Sequence, residues 1–324
     1  MHRRRGRQST PQGAHRPVML DEVLAALATQ EGEIAVDCTL GYAGHSAELL
    51  RRVGPLGRLF AFDLDEGNLA PARELLAAIS PSFTLTHGNY AGFPAIIAAE
   101  GMEGCDCLLA DLGMSSMQVD DGERGFSFMR DGPLDMRMDR SRGRTAAELL
   151  RTMTAEDLAS AFRELGDEPD AERIAEAIVQ RRETQSLERT RELMELILKE
   201  APVKVNPNPR PGEPTVRQQE IRPTARVFQA LRILVNRELA NLQELLRLLP
   251  WCLKPGGRVA IISFHSGEDR LVKAAFRDGV RTGVYESASE EPVRPDYSEK
   301  MDNPRSRSAK LRCAVRSKDQ ADSL

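Results

Sequence analysis

The chain is 324 residues long, with 41% apolar and 29% charged residues and a formal net charge of −4. At roughly 150 residues per domain, that length suggests about two domains with enough core to need no metal or disulfide staple. The acidic balance excludes a uniformly basic nucleic-acid glove, so any RNA contact must use local patches; no run approaches the roughly 20 apolar residues of a membrane span.

Residues 1–16 carry Arg3, Arg4, Arg5, Arg7 and Arg16 with no acid and no apolar run behind them. The segment reads as a flexible basic arm, not a secretory signal. Leu20–Leu27 predicts a helix. Four short apolar or β-favouring runs follow, Ile34–Asp37, Leu59–Asp63, Phe83–His87 and Cys107–Asp111, each ending at a polar residue. Between them, Ser46–Val53, Leu69–Ile79 and Phe93–Glu100 have the Ala, Leu and Ile content of packed helices. Strand, helix, strand at this pitch predicts a parallel sheet covered on both faces.

Residues 112–143 break the pattern, being rich in Gly, Asp, Arg and Met without sustained periodicity. Thr154-Ala-Glu-Asp157 has capping-box character and opens a helix through about Leu165. Ala171–Arg182 and Thr190–Lys199 predict two more. Pro202, Pro207, Pro209, Pro211 and Pro214 make 201–214 an extended connector. A long helix is expected from about Thr224 to Leu249, ended by Pro250, then a tight Lys254–Arg258 turn into a fifth strand, Val259–Ser263. Lys310–Arg316 reads as an edge strand. The expected organisation is a sheet domain (17–123 and 223–324) interrupted by a helical insertion (124–222).

Cys38, Cys105, Cys107, Cys252 and Cys313 are scattered and lack C-x-x-C spacing. They read as small buried hydrophobes of a reducing compartment, which makes a cytoplasmic enzyme the default.

Asp37-Cys-Thr-Leu-Gly41-Tyr-Ala-Gly44-His-Ser46 lies between the first strand and a helix, where open α/β sheets bind adenine-containing ligands. Gly41 and Gly44 let the backbone turn and approach a ligand. Asp63, at the end of the second strand, is placed to accept from both ribose hydroxyls. The loop lacks the third glycine of a dinucleotide fingerprint. Acidic strand ends at Asp37, Asp63 and Asp111 suit a cationic sulfonium better than a phosphate. A glycine turn with capping aspartates and no ligand is the other reading of the loop alone.

Five segments carry a more specific signal: Asp37–Ser46, Ala110–Gln118 (ADLGMSSMQ), Asp120–Asp139 (DDGERGFSFMRDGPLDMRMD), Thr224–Asn236 (TARVFQALRILVN) and Ile262–Lys273 (ISFHSGEDRLVK). In these blocks, in order from about His15 to Arg316, the chain resembles the bacterial 16S rRNA cytosine-N4 methyltransferase family known as RsmH or MraW. The resemblance implies an α/β, Rossmann-like S-adenosylmethionine-dependent methyltransferase sheet with an inserted all-helical substrate-recognition domain. It further implies a decoding-centre cytidine of 16S rRNA within the small ribosomal subunit as acceptor. Carried over residue by residue, cofactor positions fall on Gly41, Ala43, Gly44, His45, Asp63, Tyr90, Asp111 and Gln118. Ala43 replaces a usual glycine, which fits if its φ is negative, and Tyr90 replaces a common phenylalanine. Gly267 and Arg222-Pro223 also depart from the family pattern.

A cytosine amine is a poor nucleophile, so an enzyme must orient it and supply acceptors for its hydrogens. Asp111 and the backbone of Leu112–Ser115 are the natural acceptors, although this is not the DPPY-type loop of many amino-methyltransferases. Ring-carbon methylation would need a cysteine nucleophile in a strand-end loop, and none is near these motifs. His265 has two readings, a group that touches phosphate, base or proton, and a cap for the helix beginning near Glu268. Asp269-Arg270 reads as a structural polar network. Arg124, Phe126, Phe128, Arg130 and Arg226 are candidate substrate contacts, the aromatic pair serving either to stack an extruded base or to latch the insertion onto the sheet domain. Arg137, beside Asp135 and Asp139, reads as salt-bridged, and the nearby methionines as packing. Beyond the arm, basic runs at Lys204, Arg210, Arg217 and Arg222, and at Arg305, Arg307, Lys310, Arg312 and Arg316, are either RNA footprint or solvated surface. No metal site or membrane contact is expected, and monomer and homodimer both stay open. The rival functions are a non-catalytic ribosome-assembly factor on the same fold and a nicotinamide-linked oxidoreductase.

Overall fold

The computed structural model describes residues 17–210 and 213–318. The basic arm 1–16 lies outside the described residues. Two compact units emerge, Met1–Gly113 with Asn241–Leu324, and Met114–Ala240.

The first unit runs α1 (Leu20–Leu27), β1 (Ile34–Asp37), α2 (Gly44–Val53), β2 (Arg58–Asp63), α3 (Glu66–Ala77), β3 (Phe83–His87), α4 (Phe93–Ala99) and β4 (Cys105–Asp111). The second holds α5 (Ser116–Asp120), α6 (Ala146–Thr152), α7 (Ala155–Gly166), α8 (Ala171–Arg182), α9 (Thr190–Glu200), α10 (Val216–Glu220) and α11 (Arg222–Asn236). Helix α12 (Glu238–Cys252) leads back to β5 (Leu253–Ser263), α13 (Ser266–Arg281), β6 (Tyr285–Ala288), α14 (Tyr297–Asp302) and β7 (Lys310–Arg316).

The seven strands order as β3-β2-β1-β4-β5-β7-β6. Strands β1 to β5 are parallel, and β7 runs antiparallel between β5 and β6. Side-chain alternation sorts each strand onto two faces. Val36, Phe60, Phe62, Leu108, Ala110, Val259 and Ile261 meet residues of α4, α12 and α13 on one face. Ala35, Leu59, Ala61, Cys107, Leu109, Ala260 and Ile262 meet residues of α1, α2 and α3 on the other. With both faces covered, the central strands β1, β2 and β4 are apolar through their middles, whereas the edge strand β3 alternates and is half-buried. Phe60 and Phe62 are fully buried, each worth roughly 2–3 kcal/mol.

The structure corrects several expectations. The helix expected from Thr224 to Leu249 is two helices, because Arg237 takes a left-handed φ of 53°. Arg232 brackets that break with a fork onto Glu238, Nε to Oε1 at 2.8 Å and Nη2 to Oε2 at 2.9 Å. The second unit extends beyond 124–222 on both sides. On one side α11 packs against α6, α7 and α9, burying Val227, Ala230 and Leu231. On the other, the Asp120 carbonyl accepts from Arg130 Nη1. Strand β5 begins at Leu253, so the expected turn is an irregularity inside it, paired against β4 with a register shift between Cys105 and Cys107. That bulge sends Cys105 and Cys107 to opposite faces, although residues two apart on a regular strand share one. Strand β7 is interior; the sheet ends on β6, which was not foreseen.

Candidate active site at the strand ends

In the strand order, the chain leaves β1 for β2 on one side and reaches β4 on the other. Crossovers therefore diverge between β1 and β4, opening a crevice at their carboxyl ends. Asp37, Asp63 and Asp111 are the last residues of β1, β2 and β4.

The loop after β1 is fixed to its neighbours by backbone bonds. Cys38 N–H donates to the Leu109 carbonyl at 2.9 Å and Leu40 N–H to that of Phe62 at 2.8 Å. Gly41 has φ +47°, and its N–H donates to Asp63 Oδ2 at 2.8 Å. Asn68 Nδ2 donates to the same oxygen at 3.0 Å, and Asp65 N–H to Oδ1 at 2.8 Å. Three donors leave acceptor capacity on this carboxylate. Burial pushes the Asp63 carboxyl up, against these hydrogen bonds. Ala43 has φ 59°, not the negative value anticipated. Its N–H closes a tight turn onto the Leu40 carbonyl at 2.7 Å, and its own carbonyl accepts the Ala47 N–H at 2.8 Å at the start of α2. At Gly44, a side chain's Cβ would come within 2.4 Å of Pro17 Cγ, so close approach accounts for this glycine.

Asp37 is 1% exposed and accepts from Ser46 Oγ at 2.6 Å and Thr39 N–H at 3.0 Å. Thr39 Oγ1 in turn accepts the Asp111 N–H at 2.7 Å, stitching β1 to β4. The Asp111 side chain is 23% exposed, yet its Oδ1 is out of contact with solvent and has no hydrogen-bond partner. Its Oδ2 lies 3.8 Å from His45 Nδ1. Burial, then the charges of Asp37, Glu268 and Glu299, push the Asp111 carboxyl well above the ordinary range.

His265 takes the capping role: its Nδ1 accepts the Glu268 N–H at 3.4 Å. Glu268, 2% exposed, reciprocates by accepting the N–H groups of Phe264 and His265 at 2.8 and 3.3 Å. Asp269 pairs with Lys310 Nζ at 2.9 Å and Arg312 Nε at 2.8 Å, so its network partners are these two residues of β7 and not the expected Arg270. Arg316 donates to the Leu253 carbonyl. Three cations of the C-terminal basic run thus serve internal contacts.

Tyr90 is 8% exposed and packed into the core below β2 and β4. Gln118 belongs to the second unit, where its Oε1 accepts the Ser115 N–H at 3.0 Å in a capping box. In that unit Arg124 Nη2 donates to the Met138 carbonyl at 3.0 Å, with its guanidinium 5.9 Å from the Phe126 ring centre. Phe126 is 7% exposed, so its ring is committed to packing. Phe128 meets Phe228 of α11 edge-on, centroids 5.2 Å apart. This is a latch inside the second unit, because α11 belongs to it. Arg226 Nη1 lies 3.6 Å from the buried Glu168, and Arg137 forks onto Asp135 at 2.7 and 2.9 Å, the salt bridge expected.

Residues 12–317 match the MraW methylase family. The chain belongs to that family. Ribosomal RNA small subunit methyltransferase H of Geobacter sp. (strain M21) is 42% identical over 314 residues, covering 92% of this chain and 97% of that protein. Its counterpart from Halorhodospira halophila (strain DSM 244 / SL1) is 43% identical over 317 residues, covering 93% and 94%.

The family's methyl donor is S-adenosylmethionine. The residues present suit that group on three counts: Asp63 keeps acceptor capacity, a side chain at Gly41 would meet nothing nearer than the Thr39 carbonyl oxygen at 3.9 Å, and Asp111 Oδ1 is buried and unpaired. An uncompensated acceptor of this kind costs about 1–3 kcal/mol, which a donor hydrogen or a cation would recover. Sequence reasoning missed Thr39, Ser46 and Glu299. The first two lie two and nine residues from Asp37, a spacing typical of Asx turns and strand-to-helix loops. Glu299 had no local signal.

Proposed function

We propose that this MraW-family chain transfers a methyl group to the exocyclic N4 amine of a cytidine in 16S rRNA of the small ribosomal subunit. The observation that carries the reading is Asp111 Oδ1, a buried acceptor without a partner at the carboxyl end of β4. The rRNA assignment draws on the relatives named small subunit methyltransferases.

When bound, S-adenosylmethionine supplies an electrophilic methyl group on a cationic sulfur. Asp63 accepts the ribose hydroxyls, and the Gly41–His45 turn and Tyr90 shape the adenosine end. Asp111 Oδ1 accepts an amine hydrogen, which orients N4, raises its electron density and gives the departing proton a destination. His265 fixes the start of α13 through Glu268, holding that carboxylate toward Asp111. Arg124, Arg130 and Arg226 mark the helical insertion's contribution to RNA recognition, and the basic arm supplies phosphate contacts. The cytoplasm, where small subunits are found, is the expected site of action.

Incubation with methyl-labelled donor and small subunits, followed by mass mapping of the labelled nucleotide, tests this. Label on cytidine N4 is expected. Binding without transfer would favour the assembly-factor reading, and label on a ring carbon would overturn the amine assignment.

A further inference from the structure

His45 and Asp111 face each other in a way that fixes where a proton sits. His45 stands in the first turn of α2 and is 6% exposed. Its Nε2 lies 3.0 Å from the Val18 carbonyl oxygen. A carbonyl only accepts, so Nε2 carries the hydrogen and a neutral ring presents a bare Nδ1. That bare Nδ1 is the atom 3.8 Å from Asp111 Oδ2. Two acceptors confronting each other in a buried setting repel; one proton between them makes the contact attractive.

The surroundings decide which partner holds it. Among the described residues, the charged side chains acting on Asp111 are Asp37 at the end of β1, Glu268 in the first turn of α13 and Glu299 on α14, all carboxylates. Burial lowers His45, opposed by Asp37 and the Val18 carbonyl. Anions crowding a buried carboxyl favour its neutral acid, and a buried imidazole favours its neutral base. The proton therefore belongs on Asp111 Oδ2, directed at His45 Nδ1.

We propose that His45 is a positioning residue that holds Asp111 as the protonated acid in the donor-free protein, and that a cationic donor expels this proton. The inference rests on the reading of Asp111 as the amine's acceptor. Each donor bound adds one positive charge among the strand-end carboxylates, and Asp111 loses one proton to solvent. In the transfer, the nitrogen lone pair forms the N–CH₃ bond, the S–CH₃ pair returns to sulfur, and the positive charge passes to the base. The base then loses one amine proton to the Asp111 carboxylate, which becomes the acid again with no sulfonium opposing it. Asp111 thus ends the cycle in its starting state, its Oδ2 again facing His45 Nδ1 across 3.8 Å.

The test counts protons without RNA. Calorimetric titration of the full chain near neutral pH, repeated in buffers of different ionisation enthalpy, gives protons released per ligand bound. Close to one is expected for S-adenosylmethionine and close to none for uncharged-sulfur S-adenosylhomocysteine. Asp111→Asn should abolish the difference. In the donor-free protein, nitrogen NMR should find His45 protonated at Nε2 and bare at Nδ1. His45→Phe should slow transfer about tenfold or more, and His45→Asn, whose side-chain oxygen replaces Nδ1, should recover most of it. Equal proton counts for the two ligands, a difference surviving in Asp111→Asn, or a hydrogen on His45 Nδ1 would overturn the proposal. Failure of both ligands to bind would remove the cofactor reading and this inference with it. A wrong RNA assignment would leave the proton count untouched.

Discussion

The Gly41 amide and the Asp63 carboxylate, 2.8 Å apart, join the loop after β1 to the end of β2. Removing the carboxylate should therefore loosen the loop and delete a ligand acceptor together. Asp63→Ala is expected to weaken S-adenosylhomocysteine binding by about 1–3 kcal/mol. Because burial raises the Asp63 carboxyl, protonation on acidification begins above the ordinary aspartate value of about 3.9. Affinity should fall as pH drops through that raised value. Calorimetry across the acidic range reads both effects, and an unchanged affinity in Asp63→Ala would place the ribose elsewhere.

Ala43 holds a left-handed backbone at φ 59°, where a Cβ is strained by about 1–2 kcal/mol. Ala43→Gly should raise stability by about 1 kcal/mol once glycine's greater unfolded-state freedom is discounted. Urea unfolding measures it. A loss of stability would mean that the turn tolerates alanine without strain.

Asp269 binds Arg312 and Lys310 of β7, and Arg312 is 2% exposed. Burial alone would raise the Asp269 carboxyl, but hydrogen bonds from Arg312 and Lys310 outweigh it and hold it below the ordinary range. A depressed folded value adds stability that is complete above the unfolded value of about 3.9 and is lost as pH falls through the folded one. Asp269→Asn should cost about 3 kcal/mol at neutral pH by stranding a buried guanidinium, and should remove the part of acid destabilisation that lies below about pH 4. Denaturant titrations at pH 7 and pH 3 check the pair of expectations.

In the RGFSFMRDG block, a Cβ on Gly132 would stand 1.9 Å from the Gly122 carbonyl oxygen. Backbone cannot yield as a side-chain tip does. Gly132→Ala should destabilise the second unit by about 3 kcal/mol or more, detectable as early loss of amide-exchange protection in α6 to α9, with S-adenosylhomocysteine binding retained by the first unit.

Deleting residues 1–14 removes Arg3, Arg4, Arg5 and Arg7. If the arm contacts phosphates, the slope of log affinity against log salt should shrink by up to about 3, roughly 0.7 for each charge on single-stranded RNA. Donor binding should not change. Identical slopes with and without the arm would assign it to solvent.

Much of this protein is legible in one dimension. Strands buried on both faces must be apolar along their length, so Ile34–Asp37 announces its own limits; the half-buried edge strand Phe83–His87 is marked instead by its β-favouring threonines, and helices α1 and α8 follow from their local content. The strand-end aspartates were equally visible, because chain direction alone brings the carboxyl ends of parallel strands to one rim. Thr145-Ala-Ala-Glu148 also carries a local signal for α6 in its capping box. Other features depend on segments that meet from far apart. Arg237 breaks a helix without glycine or proline, beside an Asn236 whose side chain accepts the Met138 N–H at 2.7 Å and donates to the Met136 carbonyl at 2.8 Å. Lys310 and Arg312 look like an RNA footprint until Asp269, some forty residues away, is folded against them.

The sequence by itself determined the alternation of the sheet domain, the position of the glycine-containing loop after β1 and the carboxylates on the sheet's rim, since each follows from local periodicity and strand direction. Only the tertiary structure decided that β7 lies inside the sheet, that Cys105 and Cys107 part company at a bulge, and that His45 turns a bare nitrogen toward Asp111. Those outcomes are set by pairing and burial between distant segments, and burial is what pushes the carboxyl of a strand-end aspartate above its ordinary range.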